Sequence, residues 1–165
     1  MAPVRILVFP DSGPRIGGGH VMRCLTLARA LIAHGANCAF AATPATQAIL
    51  QAFGAPDITI FPLVGDPDEA AKAAADWAAS FHADWVLLDH YFLDAGQEAA
   101  LRAGRRLAVL DDLADRPREA DLLMNSAYGC RPDAYGALLP PGAAVLVGPA
   151  YAPVRVEFAR HRPAA

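Results

Sequence analysis

Short apolar runs return along this chain at intervals that leave room for a helix between them, and that alternation restricts it to few architectures. The first, residues 5–9 (RILVF), is apolar on consecutive positions, as a strand covered on both faces must be. Residues 38–42, 58–61, 85–89, 107–112, 122–125 and 145–147 repeat the pattern. Between them the period changes. Val21, Leu25, Ala28, Leu31 and Ile32 recur at helical spacing until Gly35 stops them. A shorter helix follows Thr43-Pro44 and runs through Phe53 to its Gly54 stop. Asp66-Pro67-Asp68-Glu69 opens a third, with an Asp N-cap, proline at the first helical position and Glu at the capping-box position. That helix carries Trp77 and Phe81 toward the sheet, and a fourth is expected around residues 97–102. Strands alternating with helices in this way predict a doubly wound, mostly parallel Rossmann-like α/β sheet flanked by helices.

At 165 residues the chain suits one such domain, residues 1–148. Residues 149–165, with Pro149 and Pro153 early in them, read as an exit segment or linker without regular structure. A 55% hydrophobic and 19% charged composition excludes a disordered chain. The net charge of −3, with arginines scattered among acids, excludes a nucleic-acid footprint. No apolar run approaches the roughly 20 residues of a membrane helix, and no leader precedes the first strand, so a cytoplasmic protein is expected. Cys24, Cys38 and Cys130 have no metal-ligand spacing and receive no chemistry.

The chemistry concentrates where the first strand gives way to the first helix, at Gly17-Gly18-Gly19-His20-Val21-Met22-Arg23. Three residues without Cβ let backbone N–H groups approach a ligand, and the helix points the positive end of its dipole at the same place. No lysine follows, as a Walker loop requires, and Met22 stands where a dinucleotide fingerprint needs glycine. The helix dipole disfavours protonation of His20, which leaves its ring able to accept a proton. Asp11, in the same loop, is close enough to orient it. In an open parallel sheet the carboxyl ends of the strands line the ligand crevice, so Asp11, His20, Asp89, His90, Tyr91, Asp111 and Asp112 are expected to converge there. Tyr91 is suited to a sugar hydroxyl or acetamido group. Asp111 and Asp112 are adjacent and point apart, which argues against a shared metal ion. Asp112 is expected to cap the loop 113–117, with Arg116 as its partner. No Gly-x-Ser-x-Gly elbow is present.

Four blocks, in order, carry a resemblance: residues 11–30 with Ile16-Gly-Gly-Gly-His20-Val-Met-Arg-Cys-Leu-Thr-Leu-Ala28; Asp89-His90-Tyr91-Phe-Leu-Asp94; Asp111-Asp112-Leu113-Ala-Asp-Arg116; and Gly148-Pro-Ala-Tyr151-Ala-Pro-Val-Arg155-Val-Glu157-Phe158. Together they resemble the PseG family, UDP-sugar hydrolases of pseudaminic acid biosynthesis. The resemblance implies the N-terminal, sugar-side half of a GT-B architecture. It implies cleavage of UDP-2,4-diacetamido-2,4,6-trideoxy-β-L-altropyranose with inversion, without metal or cofactor. The family's histidine maps onto His20 as the base that activates water, its tyrosine onto Tyr91 and its leading Asp onto Asp11. Gly17, Gly18, Gly19 and Arg23 join Asp11 and Tyr91 as substrate contacts. The partners implied are a UDP-linked amino sugar and a C-terminal nucleotide-binding domain outside this sequence. The chain departs from the family pattern at Phe9, Arg118 and residues 125–127. A GT-B transferase acting on another UDP-amino sugar and a non-catalytic sugar-binding module remain alternatives.

Overall fold

The computed structural model describes residues 2–55 and 57–160. Seven strands, β1 (Arg5–Pro10), β2 (Asn37–Ala42), β3 (Thr59–Pro62), β4 (Trp85–Asp89), β5 (Arg106–Leu110), β6 (Leu122–Asn125) and β7 (Ala144–Val147), form one sheet in the order β3-β2-β1-β4-β5-β6-β7. All six neighbouring pairs are parallel. The expected Rossmann-like α/β arrangement is the one found.

Alternation along β1 divides the interior in two. Ile6 and Val8 face α1 (Gly19–Ala33) and α2 (Pro44–Ala52), against Val21, Cys24, Leu25, Ala28 and Leu50. Leu7 and Phe9 face α3 (Pro67–Ser80) and α4 (Ala95–Arg102), against Ala74, Ala78 and Leu101. Alanine on α3 lets that helix lie close to the sheet. Phe81 is buried, as expected, while Trp77 is only half-buried, stacked on Phe61 with its Nε1–H donated to the Pro62 carbonyl at 3.2 Å. Both α3 and α4 begin in full capping boxes, Asp66 with Glu69 and Asp94 with Gln97. The predicted stripe of α1 is buried through Ala28 and partly buried at Leu31, but Ile32 is 41% exposed.

Between β5 and β7 the chain stays on the α3–α4 side, where Tyr135, Leu138 and Leu139 join the core. That stretch puts no helix on the other face of β4–β6. A hollow of about 540 Å³ opens there, lined by Leu27, Leu31, Trp85, Ala108 and Met124 among others. The proline-rich end is more ordered than its composition predicts. A 3₁₀ turn (Pro149–Tyr151) and α5 (Val156–Arg160) follow β7, and Val154 and Phe158 lie beside Met22 and Thr26 of α1. Residues 161–165, the end of the predicted exit segment, lie outside the described residues. No described helix is long and apolar enough to cross a membrane.

Candidate active site

Strand order reverses between β1 and β4, which lead away to β2 and β5 on opposite sides. That is where an open parallel sheet leaves a crevice at its carboxyl edge. The backbone closes it from below, because the Asp11 N–H donates to the Asp89 carbonyl at 2.7 Å.

The loop from β1 to α1 is a small flap. Gly13 and Gly17 form an isolated antiparallel bridge, and Gly17, at φ +77°, needs to be glycine. Ser12 ties the flap's base to the α2 start, its Oγ lying 2.6 Å from Thr46 Oγ1 and 3.1 Å from Thr43 Oγ1. Gly18 is the residue before α1, and a side chain there would press on Ile49 at 3.2 Å. Of the three consecutive glycines, only Gly19 faces open space on an ordinary backbone. No side chain caps α1 and no acid stands in its first turn, so its leading N–H groups remain available.

His20 is 5% exposed, and polar groups surround its ring. Its Nδ1 lies 2.5 Å from Asp89 Oδ1, which fixes the proton on Nδ1 and makes Nε2 the acceptor of the neutral ring. Nε2 has no partner among the described residues and is not among the fully buried unpartnered atoms, so it reaches solvent. Asp89 is itself 0% exposed. It accepts from His20, from Arg23 Nε on Oδ2, and from Arg23 Nη2 on Oδ1 at 2.6 Å. Burial pushes the Asp89 carboxyl up, but the hydrogen bonds from Arg23 and then His20 outweigh it and hold its pKa below the usual carboxylate range. An ionised Asp89 therefore stands behind an imidazole, the arrangement that orients a general base and stabilises it once protonated.

Asp89, not Asp11, occupies the orienting position on His20. Asp11 faces His90, with Oδ1 at 3.7 Å from His90 Nε2. Arg23, expected to contact substrate, has Nε and Nη2 on Asp89 and Nη1 on Asp112 at 3.2 Å, so its principal role in this geometry is to hold two carboxylates in place. Tyr91 packs edge-on against His20, with centroids 4.5 Å apart, and donates its hydroxyl to Asp112 at 3.2 Å.

Asp111 and Asp112 divide as adjacent residues must, one buried and one exposed, but their roles reverse the expectation. Asp111 caps the loop, accepting from the Ala114 N–H at 2.8 Å, while Asp112 serves Arg23 and Tyr91. Arg116 pairs with Asp115 and the His90 carbonyl instead of Asp112. Asp111 further accepts from Tyr135 at 2.8 Å and from Arg118, which also reaches Glu98 at 2.6 Å. Asn125 Nδ2 donates to the Tyr135 hydroxyl at 2.8 Å. These buried groups satisfy one another and brace the loops behind the crevice. Among the described residues no three His, Cys, Asp or Glu side chains are arranged to hold a metal ion.

No family model matches the chain. It is similar to the UDP-2,4-diacetamido-2,4,6-trideoxy-beta-L-altropyranose hydrolase of Campylobacter jejuni subsp. jejuni serotype O:2 (strain ATCC 700819 / NCTC 11168), with 26% identity over 158 residues. The alignment takes in 94% of this chain and 53% of that protein. The chain thus spans about half the length of a curated relative that hydrolyses a UDP-sugar.

Proposed function

We propose that this chain is the sugar-side half of a UDP-sugar hydrolase, and that His20 is its general base. The observation that carries the reading is the His20–Asp89 pair at the β1–β4 switch point, with Nε2 open to solvent beside an uncapped helix start. The substrate is UDP-2,4-diacetamido-2,4,6-trideoxy-β-L-altropyranose, by similarity to the Campylobacter jejuni relative.

Water held by His20 attacks the anomeric carbon on the face opposite the leaving group. The anomeric C–O bond breaks, its electron pair leaves with UDP, and the water proton passes to Nε2. The configuration inverts. Asp89 stabilises the resulting imidazolium, and the free N–H groups of α1 face the charge that develops as UDP departs. Metal chemistry has no part in this reading.

Exposed apolar side chains stand on successive loops of the same carboxyl edge, with Val64 after β3, Phe92 after β4, Leu113 after β5 and Tyr128 after β6. They suit an edge closed by a second, nucleotide-binding domain. Residues 149–165 are the linker toward it, and the chain alone turns over slowly because little remains to bind UDP.

The test is incubation of the UDP-sugar with this chain and a separately expressed nucleotide-binding half, following UDP and free sugar. Replacement of His20 by alanine is expected to lower UDP release by about 10²–10⁴-fold. Turnover unaffected by that change refutes the assignment. A requirement for an added sugar or lipid acceptor moves the reading to a transferase.

A further inference from the structure

One buried group at the crevice has no task in this chemistry. Asp11 is 8% exposed, and its Oδ2 is shut off from solvent with no hydrogen-bond partner among the described residues. Beside it, His90 Nδ1 accepts the Phe92 N–H at 3.1 Å, which puts the ring proton on Nε2. That Nε2–H faces Asp11 Oδ1 across 3.7 Å, too far for a hydrogen bond. Burial, the strongest influence, holds the His90 imidazole below its ordinary pKa against the pull of Asp11; His20 and Arg116 also lower it and Asp89 raises it. The two side chains are thus not an ion pair near neutrality. They present a donor and an acceptor side by side, each unused.

We propose that His90 and Asp11 form a hydroxyl-reading pair that selects the sugar of the ligand. A hydroxyl oxygen at about 2.8 Å from each group accepts from His90 Nε2–H and donates its own proton to the Asp11 carboxylate. Few other groups fit. A phosphate or carboxylate is repelled by Asp11, and an apolar group leaves both polar atoms unpaired. The pair follows Pro10 at the end of β1 and Asp89 at the end of β4, so it holds the sugar next to His20 and assigns the diphosphate elsewhere. The inference rests on the nucleotide-sugar reading and deepens it by naming His90, which that reading leaves unused, as a specificity-determining residue. A purely structural pair would close the 3.7 Å gap and satisfy Oδ2.

The experiment compares wild type with Asp11→Asn, His90→Leu and His90→Gln, the last retaining a donor near Nε2. The probes are the UDP-diacetamido sugar, its free sugar, UDP and inorganic phosphate. Binding is followed by calorimetry and by ¹⁵N resonances of His90. Asp11→Asn and His90→Leu are expected to weaken both sugar-bearing probes by about tenfold or more, and His90→Gln to recover most of that loss, with UDP unaffected. The melting temperature of Asp11→Asn is expected to equal or exceed that of wild type, since the buried Oδ2 has no hydrogen bond to lose. A lower melting temperature with sugar binding intact would overturn the proposal. So would equal losses for UDP and the sugar, or a His90 resonance that neither sugar-bearing probe moves. If sugar binding shows the expected pattern while no UDP is released even with the nucleotide-binding half supplied, the hydrolase reading fails and the hydroxyl-reading pair stands.

Discussion

Replacing Asp89 by asparagine keeps the shape of the side chain, removes one acceptor and leaves the surrounding donors in place. Three of them converge on this carboxylate: His20 Nδ1–H and Arg23 Nη2 on Oδ1, and Arg23 Nε on Oδ2. Asparagine offers a single oxygen. If that oxygen stays with Arg23 Nε, the amide NH₂ faces His20, and the ring relieves the clash by moving its proton to Nε2. The nitrogen that must take a proton from water then already carries one. In the serine-protease template the same change costs about 10⁴-fold in kcat through the wrong tautomer, and a loss of about 10³–10⁴-fold in UDP release is expected here. Stability falls as well. Of its two carboxylate partners Arg23 retains only Asp112, at 3.2 Å, and breaking a buried pair costs about 3 kcal/mol at the lower end of the usual range.

The pH dependence has a definite sign. Asp89 is held below its unfolded pKa, so its contribution is present above about pH 4 and is lost as pH falls through the lower folded value. The gap between wild type and variant should therefore narrow in acid. Urea unfolding across pH and ¹⁵N shifts of the His20 ring measure both effects on the chain itself. UDP release is measured with the nucleotide-binding half supplied. A variant whose His20 keeps its proton on Nδ1, or whose activity stays within about threefold of wild type, refutes the reasoning.

Alanine substitutions in the glycine turn should separate by thermal melting. Gly17→Ala costs about 1–2 kcal/mol for its left-handed backbone. Gly18→Ala costs less than about 1 kcal/mol, because the contact is the tip of Ile49, and Gly19→Ala gains up to about 0.5 kcal/mol. If Gly18→Ala proves the most damaging, the assigned roles are wrong. Arg118→Leu strands Glu98 and Asp111 as buried acids and should lower stability by about 3–5 kcal/mol in denaturant titration; a loss below about 1 kcal/mol would contradict the bracing role. Asp66→Ala removes the N-cap of α3 and should cost about 1 kcal/mol, read from the same titration.

The sheet was legible because each strand is a short apolar run between turn residues, a signal that depends on near neighbours alone. The α3 start could be placed to the residue for the same reason. Partnerships across the sheet could not be read. Asp89 and His20 stand 69 positions apart, and proximity in the chain favoured Asp11 for the orienting role. That Asp89 would end a strand at the crevice was readable; that its carboxylate meets His20 depends on β4 being the neighbour of β1. The swap of Asp111 and Asp112 had no local signal either, because which of two adjacent acids turns inward depends on Arg118 and Tyr135 arriving from later segments. The order after Tyr151 was missed because Pro149 and Pro153 outweighed Val156 and Phe158, which lie beside α1 but stay largely exposed.

The crevice has one stiff wall and one compliant one. Behind Tyr91, the loops after β5 and β6 are pinned by the buried hydrogen-bond chain of Glu98, Arg118, Asp111, Tyr135 and Asn125. Opposite, the tip of the flap from Gly13 to Gly17 is fastened mainly to itself. On the proposed reading, adaptation to different guests belongs to that tip, and sequence drift among residues 14–16 is expected to retune which sugars are admitted while the floor beneath His20 stays as built.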